Sequence, residues 1–352
     1  MTATVVWYVH DHGRGHLERA RAVLPHLDAP VVVAAGPGIS AVARSVLDRP
    51  VVALPSDVPD EYSPTVGPWH HAPSGRAVAA RSTALAGVIT QYGCTTAVVD
   101  VSVEVTVLAR LFGLRVVTLR QSGHRDDEAH RIGLATANRV WVPQHPELEP
   151  LDAPPDDRWT FTGPFSRFDE VNRPAPPRRP PRGRRLVVLM VGRGETSLPV
   201  DCWRDAAAPS GWQVVIVGSP EDAPPGAAGR PDELDGAADV AVVGFRDPVF
   251  PLLVAADVVV TGGGWAAVAD TVAAGARLVV VPEARPFDEQ HVRADALAAA
   301  GLALTLDRWP LPGELAETVD AASELDVSRW SAYHDGRGAA RAAHLIDEVH
   351  AA

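Results

Sequence analysis

The chain has 352 residues, 46% of them apolar, and a formal net charge of −12. That is enough for two domains with buried cores, while the acidic balance argues against a nucleic-acid surface, because phosphate backbones need a basic face. There is no lysine, so all 32 basic residues are arginine, which excludes a lysine Schiff base, a P-loop lysine and a pyridoxal-phosphate linkage.

The N-terminal text lacks a basic leader and reads as a strand over residues 5–9, not as a signal peptide. It ends in His10-Asp11-His12-Gly13-Arg14-Gly15-His16, and a helix is expected over 17–27. A strand over 31–35, a helix to about 47 and a strand over 51–54 follow. The polar, Pro-containing text of 56–74 reads as a long loop, of the kind that is often functional. A helix over 76–91 and a strand over 95–99 lead to Asp100. A helix over 103–112 and a strand over 116–119 lead to Arg120 and His124. Strands over 139–142 and 159–162 close the first half.

Residues 166–183 are rich in Pro and Arg and read as a linker. A second α/β series begins with a strand over 186–191, followed by Gly192-Arg193-Gly194-Glu195-Thr196. Strands over 214–217 and 240–243 come next, the latter before Phe245 and Arg246. A short helix over 250–255 precedes a strand over 258–260. Then comes TGGGWAAVADTVAAG, residues 261–275, where glycines open a helix. A strand over 278–281 and helices over 288–300 and 315–322 follow, and the tail is helical after 338. The two cysteines, Cys94 and Cys202, lie far apart, which argues against a disulfide framework or a zinc site and fits a reduced compartment. No apolar run approaches the length of a membrane span. The expected location is cytoplasmic.

Alternating strands and helices imply an α/β fold. In such sheets ligands bind beyond the carboxyl ends of the strands. Glycines at a strand-to-helix turn let backbone approach a ligand, and the first-turn N–H groups offer an anion site. A phosphorylated ligand is the natural guess.

The text of residues 256–301, ADVVVTGGGWAAVADTVAAGARLVVVPEARPFDEQHVRADALAAAG, resembles the carboxy-terminal domain of the GT-B glycosyltransferases. The nearest likeness is to glycosyltransferase family 28, which includes the lipid II N-acetylglucosaminyltransferases. The turn HGRGH at 12–16 resembles the amino-terminal domain of the same group. The resemblance implies two facing Rossmann-like domains with parallel sheets and an interdomain cleft. Residues 1–165 would bind the acceptor, joined by a terminal helix at about 328–352, and residues 184–327 would bind the donor. It implies inverting, metal-independent sugar transfer from a nucleotide-diphosphate sugar, UDP-linked by family likeness, to a hydroxyl acceptor. The nucleotide-sugar is then a co-substrate, and no cofactor is expected. By this likeness Gly262, Gly263 and Gly264 hold the diphosphate with Trp265 beside them, and Gly192, Arg193, Gly194 and Thr196 form a second phosphate-side loop. Phe245 and Arg246 read the base, Asp270 binds the ribose, and Glu289 with Gln290 holds the sugar.

His16 is the candidate base, since an imidazole can take a proton from an acceptor hydroxyl near neutral pH. Asp100 could orient it, or could simply cap the next helix. Gly13, Arg14, Gly15, Arg120 and His124 are expected on the acceptor side, the alternative for Arg120 and His124 being an exposed loop. His10, His12 and His16 lack an acidic or cysteine partner at a metal-ligand spacing, so no metal site is expected. A Gly36-x-Gly38 turn only weakly imitates a dinucleotide fingerprint. Three further readings stay open: a nucleotide-sugar 2-epimerase, a non-catalytic nucleotide-sugar-binding subunit and a dehydrogenase. The acceptor is a small molecule or glycan of unknown identity, and nothing in the sequence supports membrane association.

Overall fold

Runs of valine and other apolar residues become strands, and in the computed structural model these assemble into two separate parallel sheets. The structure describes residues 3–10, 13–56, 75–151, 155–171, 184–192, 196–203, 206–218, 239–245 and 248–352. The chain divides into two units. The first comprises Met1–Pro146, Leu151–Pro164 and Arg337–Ala352, the second Glu147–Pro150 and Phe165–Gly336.

The first unit contains β1 (Thr4–Val9), α1 (Gly15–Val23), β2 (Val31–Ala35), α2 (Pro37–Val46), β3 (Val51–Ala53) and α3 (Gly75–Tyr92). It continues with β4 (Cys94–Asp100), α4 (Val103–Leu111), β5 (Arg115–Leu119), α5 (Glu128–Thr136), β6 (Arg139–Val142) and β7 (Trp159–Phe161). Its sheet has the order β3-β2-β1-β4-β5-β6-β7. The strand order reverses between β1 and β4, where Tyr8 pairs with Val99. That reversal is the topological switch point at which ligands of open α/β sheets bind. The carboxyl ends of these two strands carry the turn to His16 and Asp100.

Helix α5 was not expected from the sequence, because Gly133 interrupts its pattern. The structure supplies the reason for the glycine: a Cβ there would lie 2.9 Å from Val103 Cγ1 of α4. The small residue lets the two helices pack closely. Helix α1 is shorter than expected, since Leu24–His26 tightens into a 3₁₀ turn around Pro25.

The second unit contains β8 (Arg185–Met190), β9 (Trp212–Val217), β10 (Val240–Val242), α6 (Phe250–Ala255), β11 (Val258–Gly262), α7 (Trp265–Ala274) and β12 (Arg277–Val281). Then come α8 (Glu289–Ala299), β13 (Ala303–Thr305) and α9 (Leu315–Ser323). The sheet order is β10-β9-β8-β11-β12-β13, with its switch point between β8 and β11. Alternate residues of β8 enter different cores. Val187 and Leu189 pack with Trp203, Trp212 and Leu315, whereas Leu186, Val188 and Met190 pack with Phe250 and Leu253. Both faces of the sheet are thus covered, which is why its strands read as unbroken apolar runs. Each such buried side chain contributes about 1.5–3 kcal/mol.

Part of the expected linker is ordered in the second unit. Phe168 is buried there and stacks on Phe250 with ring centroids 4.4 Å apart. The rest of the linker, 172–183, lies outside the described residues, as do residues 57–74 of the loop expected over 56–74. The last helix, α10 (Gly338–Ala351), belongs to the first unit. There Asp347 accepts hydrogen bonds from the N–H groups of Asp28 and Ala29 at 3.2 and 3.1 Å, and Arg341 Nε donates to the Thr162 carbonyl at 2.7 Å.

Candidate active site

In the first unit the turn after β1 delivers His16 into the first turn of α1, and helical spacing places Arg19 one turn further on the same side. His16 Nδ1 lies 3.0 Å from Asp100 Oδ1. Arg19 holds both carboxylate oxygens, through Nε to Oδ2 at 2.9 Å and Nη2 to Oδ1 at 2.8 Å. The same Nη2 stands 2.8 Å from His16 Nδ1. Asp100 is 0% exposed, Arg19 1% and His16 8%. Burial alone would raise the Asp100 carboxyl, but the Arg19 guanidinium and then His16 hold it well below the usual carboxylate range. Val101, the next residue, has φ 64°, a left-handed conformation that is strained for a β-branched side chain.

The acceptor-side expectations divide. Gly13, with φ 75°, is exposed, and Arg14 and Gly15 are half-buried at the start of α1. Arg120 is buried and donates to the carbonyls of Gln121 and Gly123, both at 3.1 Å, so it shapes its own loop. His124 is exposed. The ring of His10 lies 5.9 Å from that of His16. Asp11 and His12 fall outside the described residues.

In the second unit the glycine turn lies at the carboxyl end of β11, beside that of β8. Gly264 is the N-cap of α7, with no side-chain cap and no acid in the first turn. The helix dipole adds partial positive charge there, and no acidic side chain of the first turn offsets it. Gly263 is held in place. Its N–H donates to Gln290 Oε1 at 2.9 Å, and its carbonyl accepts from Arg293 at 2.5 Å. A Cβ on Gly263 would lie 2.9 Å from Gln290 Cβ and 3.0 Å from its carbonyl oxygen. Gln290 Oε1 also accepts from the Glu283 N–H at 2.9 Å. Two N–H donors fix the oxygen rather than the NH₂ at this point.

Glu283, where the chain leaves β12, joins a third loop. Its carboxylate accepts from Thr196 Oγ1 at 3.0 Å, Ser197 N–H and Oγ at 2.9 Å each, and Trp309 Nε1 at 2.8 Å. Burial pushes the Glu283 carboxyl up, and these hydrogen bonds more than reverse that, leaving it lowered. The loops after β8, β11 and β12 are therefore tied together by two side chains. Gly192 is exposed, while Arg193, Gly194 and Arg246 lie outside the described residues and Phe245 is half-buried after β10.

Asp270, expected to bind ribose, has partners within the unit: Ser166 Oγ donates to it at 2.6 Å and Arg167 Nη2 lies 3.3 Å away. Trp265 packs edge-on against Phe165 with centroids 4.8 Å apart. Glu289 opens α8 and follows Phe287 and Asp288, whose φ angles are 62° and 56°. Among the described residues, the non-glycine positions with positive φ thus adjoin Asp100 and Glu289.

Sequence reasoning missed Arg19, Glu283 and Ser166. Arg19 was visible as a basic residue three positions after His16 on an otherwise apolar helical face. Glu283 stood at a strand's carboxyl end beside the glycine motif. Ser166 carried no signal, because its partner Asp270 is 104 residues away.

Residues 227–331 match the model of the glycosyltransferase family 28 C-terminal domain. Comparison with curated protein sequences gives no match. Among solved structures, the glycotransferase of kitacinnamycin superposes with a TM-score of 0.71 at 20% identity, covering 99% of each chain. The spinosyn rhamnosyltransferase SpnG, complexed with thymidine diphosphate, gives 0.61 at 19% identity over 99% of this chain and 96% of its own. MurG of Acinetobacter baumannii gives 0.64 at 16%, over 98% of this chain and 99% of its own. At these identities the likeness is one of fold. The fold is that of the GT-B glycosyltransferases. The stretch similar to family 28 lies in the second unit. No helix among the described residues is long and apolar enough to cross a membrane.

Proposed function

We propose that the chain is an inverting, metal-independent glycosyltransferase that moves a sugar from a nucleoside-diphosphate sugar to the hydroxyl of a small molecule or glycan. The observation that carries the reading is the N-terminus of α7: a helix start with a glycine N-cap and no acid in its first turn, reached by a glycine turn at the switch point of its sheet. Backbone N–H groups at such a helix start make an anion site in a chain that is acidic overall.

In the proposed step, His16 Nε2 takes the acceptor's hydroxyl proton as the oxygen attacks the anomeric carbon. The bond from that carbon to the diphosphate oxygen breaks, the diphosphate leaves with the electron pair, and the configuration inverts. The α7 N–H groups and dipole stabilise the charge that develops on the leaving group, the task that a metal performs elsewhere. Asp100 steadies the imidazolium. Gly262 and Gly264 lie along the diphosphate, and Glu289 addresses the sugar hydroxyls. Gln290 and Glu283 hold the three loops in register. The nucleotide is UDP or dTDP, the latter added to the candidates by the thymidine diphosphate bound to SpnG.

Thermal-shift screening against UDP, dTDP, GDP and NAD tests the reading. A rise in melting temperature with UDP or dTDP supports it. A response to NAD alone would point to a dehydrogenase. Conversion of the donor to an epimer without any acceptor would point to an epimerase.

A further inference from the structure

Asp100 is a carboxylate with no access to water, and a buried charge of this kind needs a counter-charge. Two groups stand close enough to supply it. Arg19 reaches it at 2.8 and 2.9 Å, and His16 at 3.0 Å. Only Arg19 is charged in every protonation state. A dyad of histidine and a lone buried aspartate would tend to settle as imidazolium and carboxylate, with the ring already protonated and unable to accept a proton.

We propose that Arg19 is a positioning residue of the candidate base: by holding both oxygens of Asp100 it supplies the counter-charge, and so leaves the His16 ring neutral and able to take a proton. The inference rests on the reading of His16 as base and adds what keeps that base in its working form. His16 Nδ1 lies between Asp100 Oδ1 at 3.0 Å and Arg19 Nη2 at 2.8 Å, so the guanidinium beside the ring also disfavours a second positive charge there. Two further ionisable groups among the described residues lie near this turn. His10 faces the His16 ring from the end of β1, with ring centroids 5.9 Å apart. Glu18 of the same helix is turned to Arg14 and Arg21, at 3.8 and 3.6 Å.

The test reads the ring directly in the full chain without ligand, by ¹⁵N NMR of labelled histidine. The chain has 13 histidines, so the His16 signals are assigned by their loss in His16→Gln. Near neutral pH the wild type should show one protonated and one bare ring nitrogen. Arg19→Met should show both protonated at the same pH, because His16 then replaces the missing cation. Arg19→Gln, which keeps hydrogen bonding without charge, carries the same expectation if Arg19→Met does not fold. Arg19→Lys should keep the wild-type pattern. Adding Asp100→Asn to Arg19→Met removes the demand for a cation and should return the ring to one bare nitrogen. A wild-type ring already protonated at both nitrogens, or a neutral ring in Arg19→Met or Arg19→Gln, would overturn the proposal. With a donor and acceptor in hand, Arg19→Met should lower kcat by about a hundredfold with KM little changed, the size of effect expected when a general base is disabled. The two readings fail separately. Transfer that survives His16→Gln would remove the base assignment while leaving the NMR result standing.

Discussion

The side-chain oxygen of Gln290 accepts the N–H of Gly263 at 2.9 Å, and the backbone of Gln290 fills the space where a Gly263 side chain would be. The glycine turn is thus pressed against the start of α8, and a ligand on α7 meets a loop whose shape is already set. Neighbouring Gly264 is different: among the described residues, none beyond its chain neighbours comes within 4 Å of where its Cβ would be.

The contrast gives a first prediction. Gly263→Ala should destabilise the second unit by about 1–3 kcal/mol through overpacking. Gly264→Ser should leave stability within about 0.5 kcal/mol, or raise it, since serine is a good N-cap. Urea denaturation of both variants checks this. Equal losses would mean that the turn is not held by Gln290.

Removing the Gln290 side chain should expose the same clamp. Gln290→Ala leaves the N–H groups of Gly263 and Glu283 without their acceptor and should cost about 1–3 kcal/mol. Gln290→Glu keeps an acceptor oxygen at the site and should recover most of the loss. Amide hydrogen exchange at Gly263 should quicken in the alanine variant and stay slow in the glutamate one.

Glu283 should tolerate acid. Its lowered carboxyl stays ionised as pH falls through the ordinary glutamate value of about 4.3. Its contribution is therefore present above that value and lost only below it. Trp309 Nε1 donates to this carboxylate, so the part of the emission that disappears in Trp309→Phe reports on it. That part should stay constant from pH 7 to about 4.3 and change at lower pH. A change centred above that range would contradict the assignment.

Asp100→Asn leaves Arg19 buried without its carboxylate and should cost about 3–5 kcal/mol. The acid dependence follows from the direction of the shift. A lowered carboxyl contributes stability above the usual carboxylate range and loses it as pH falls through its lowered value. The stability gap between wild type and Asp100→Asn should thus still be present at about pH 4 and narrow only below. Denaturation at a series of pH values measures it.

Much of this was legible in the sequence because it rests on short-range pattern. Unbroken valine runs marked β1, β8, β11 and β12, and glycine after a strand marked α7. His16 and Asp100 were both found as residues at strand ends, although 84 positions separate them, because parallel sheets gather strand ends on one edge. What pattern could not show was pairing. Nothing in the text said that Arg19 would hold Asp100, or that Ser166 and Arg167, in a stretch that reads as linker, would engage Asp270. Helix α5 was hidden by a glycine whose purpose is to let α4 approach, which only the packed structure reveals.

The central claim is that the N-terminus of α7 binds the donor's diphosphate, and one substitution tests it with opposed outcomes. Gly264→Asp adds a favourable helix cap in open space at φ −64°, so the folded protein should be as stable as the wild type or more so. The same carboxylate would face the diphosphate and should weaken binding of UDP and dTDP by at least about tenfold. Isothermal titration calorimetry of both nucleotides against wild type and Gly264→Asp gives the answer. Binding by the wild type that is lost in a fully folded Gly264→Asp is the predicted result. Equal affinity in the two proteins would contradict the account.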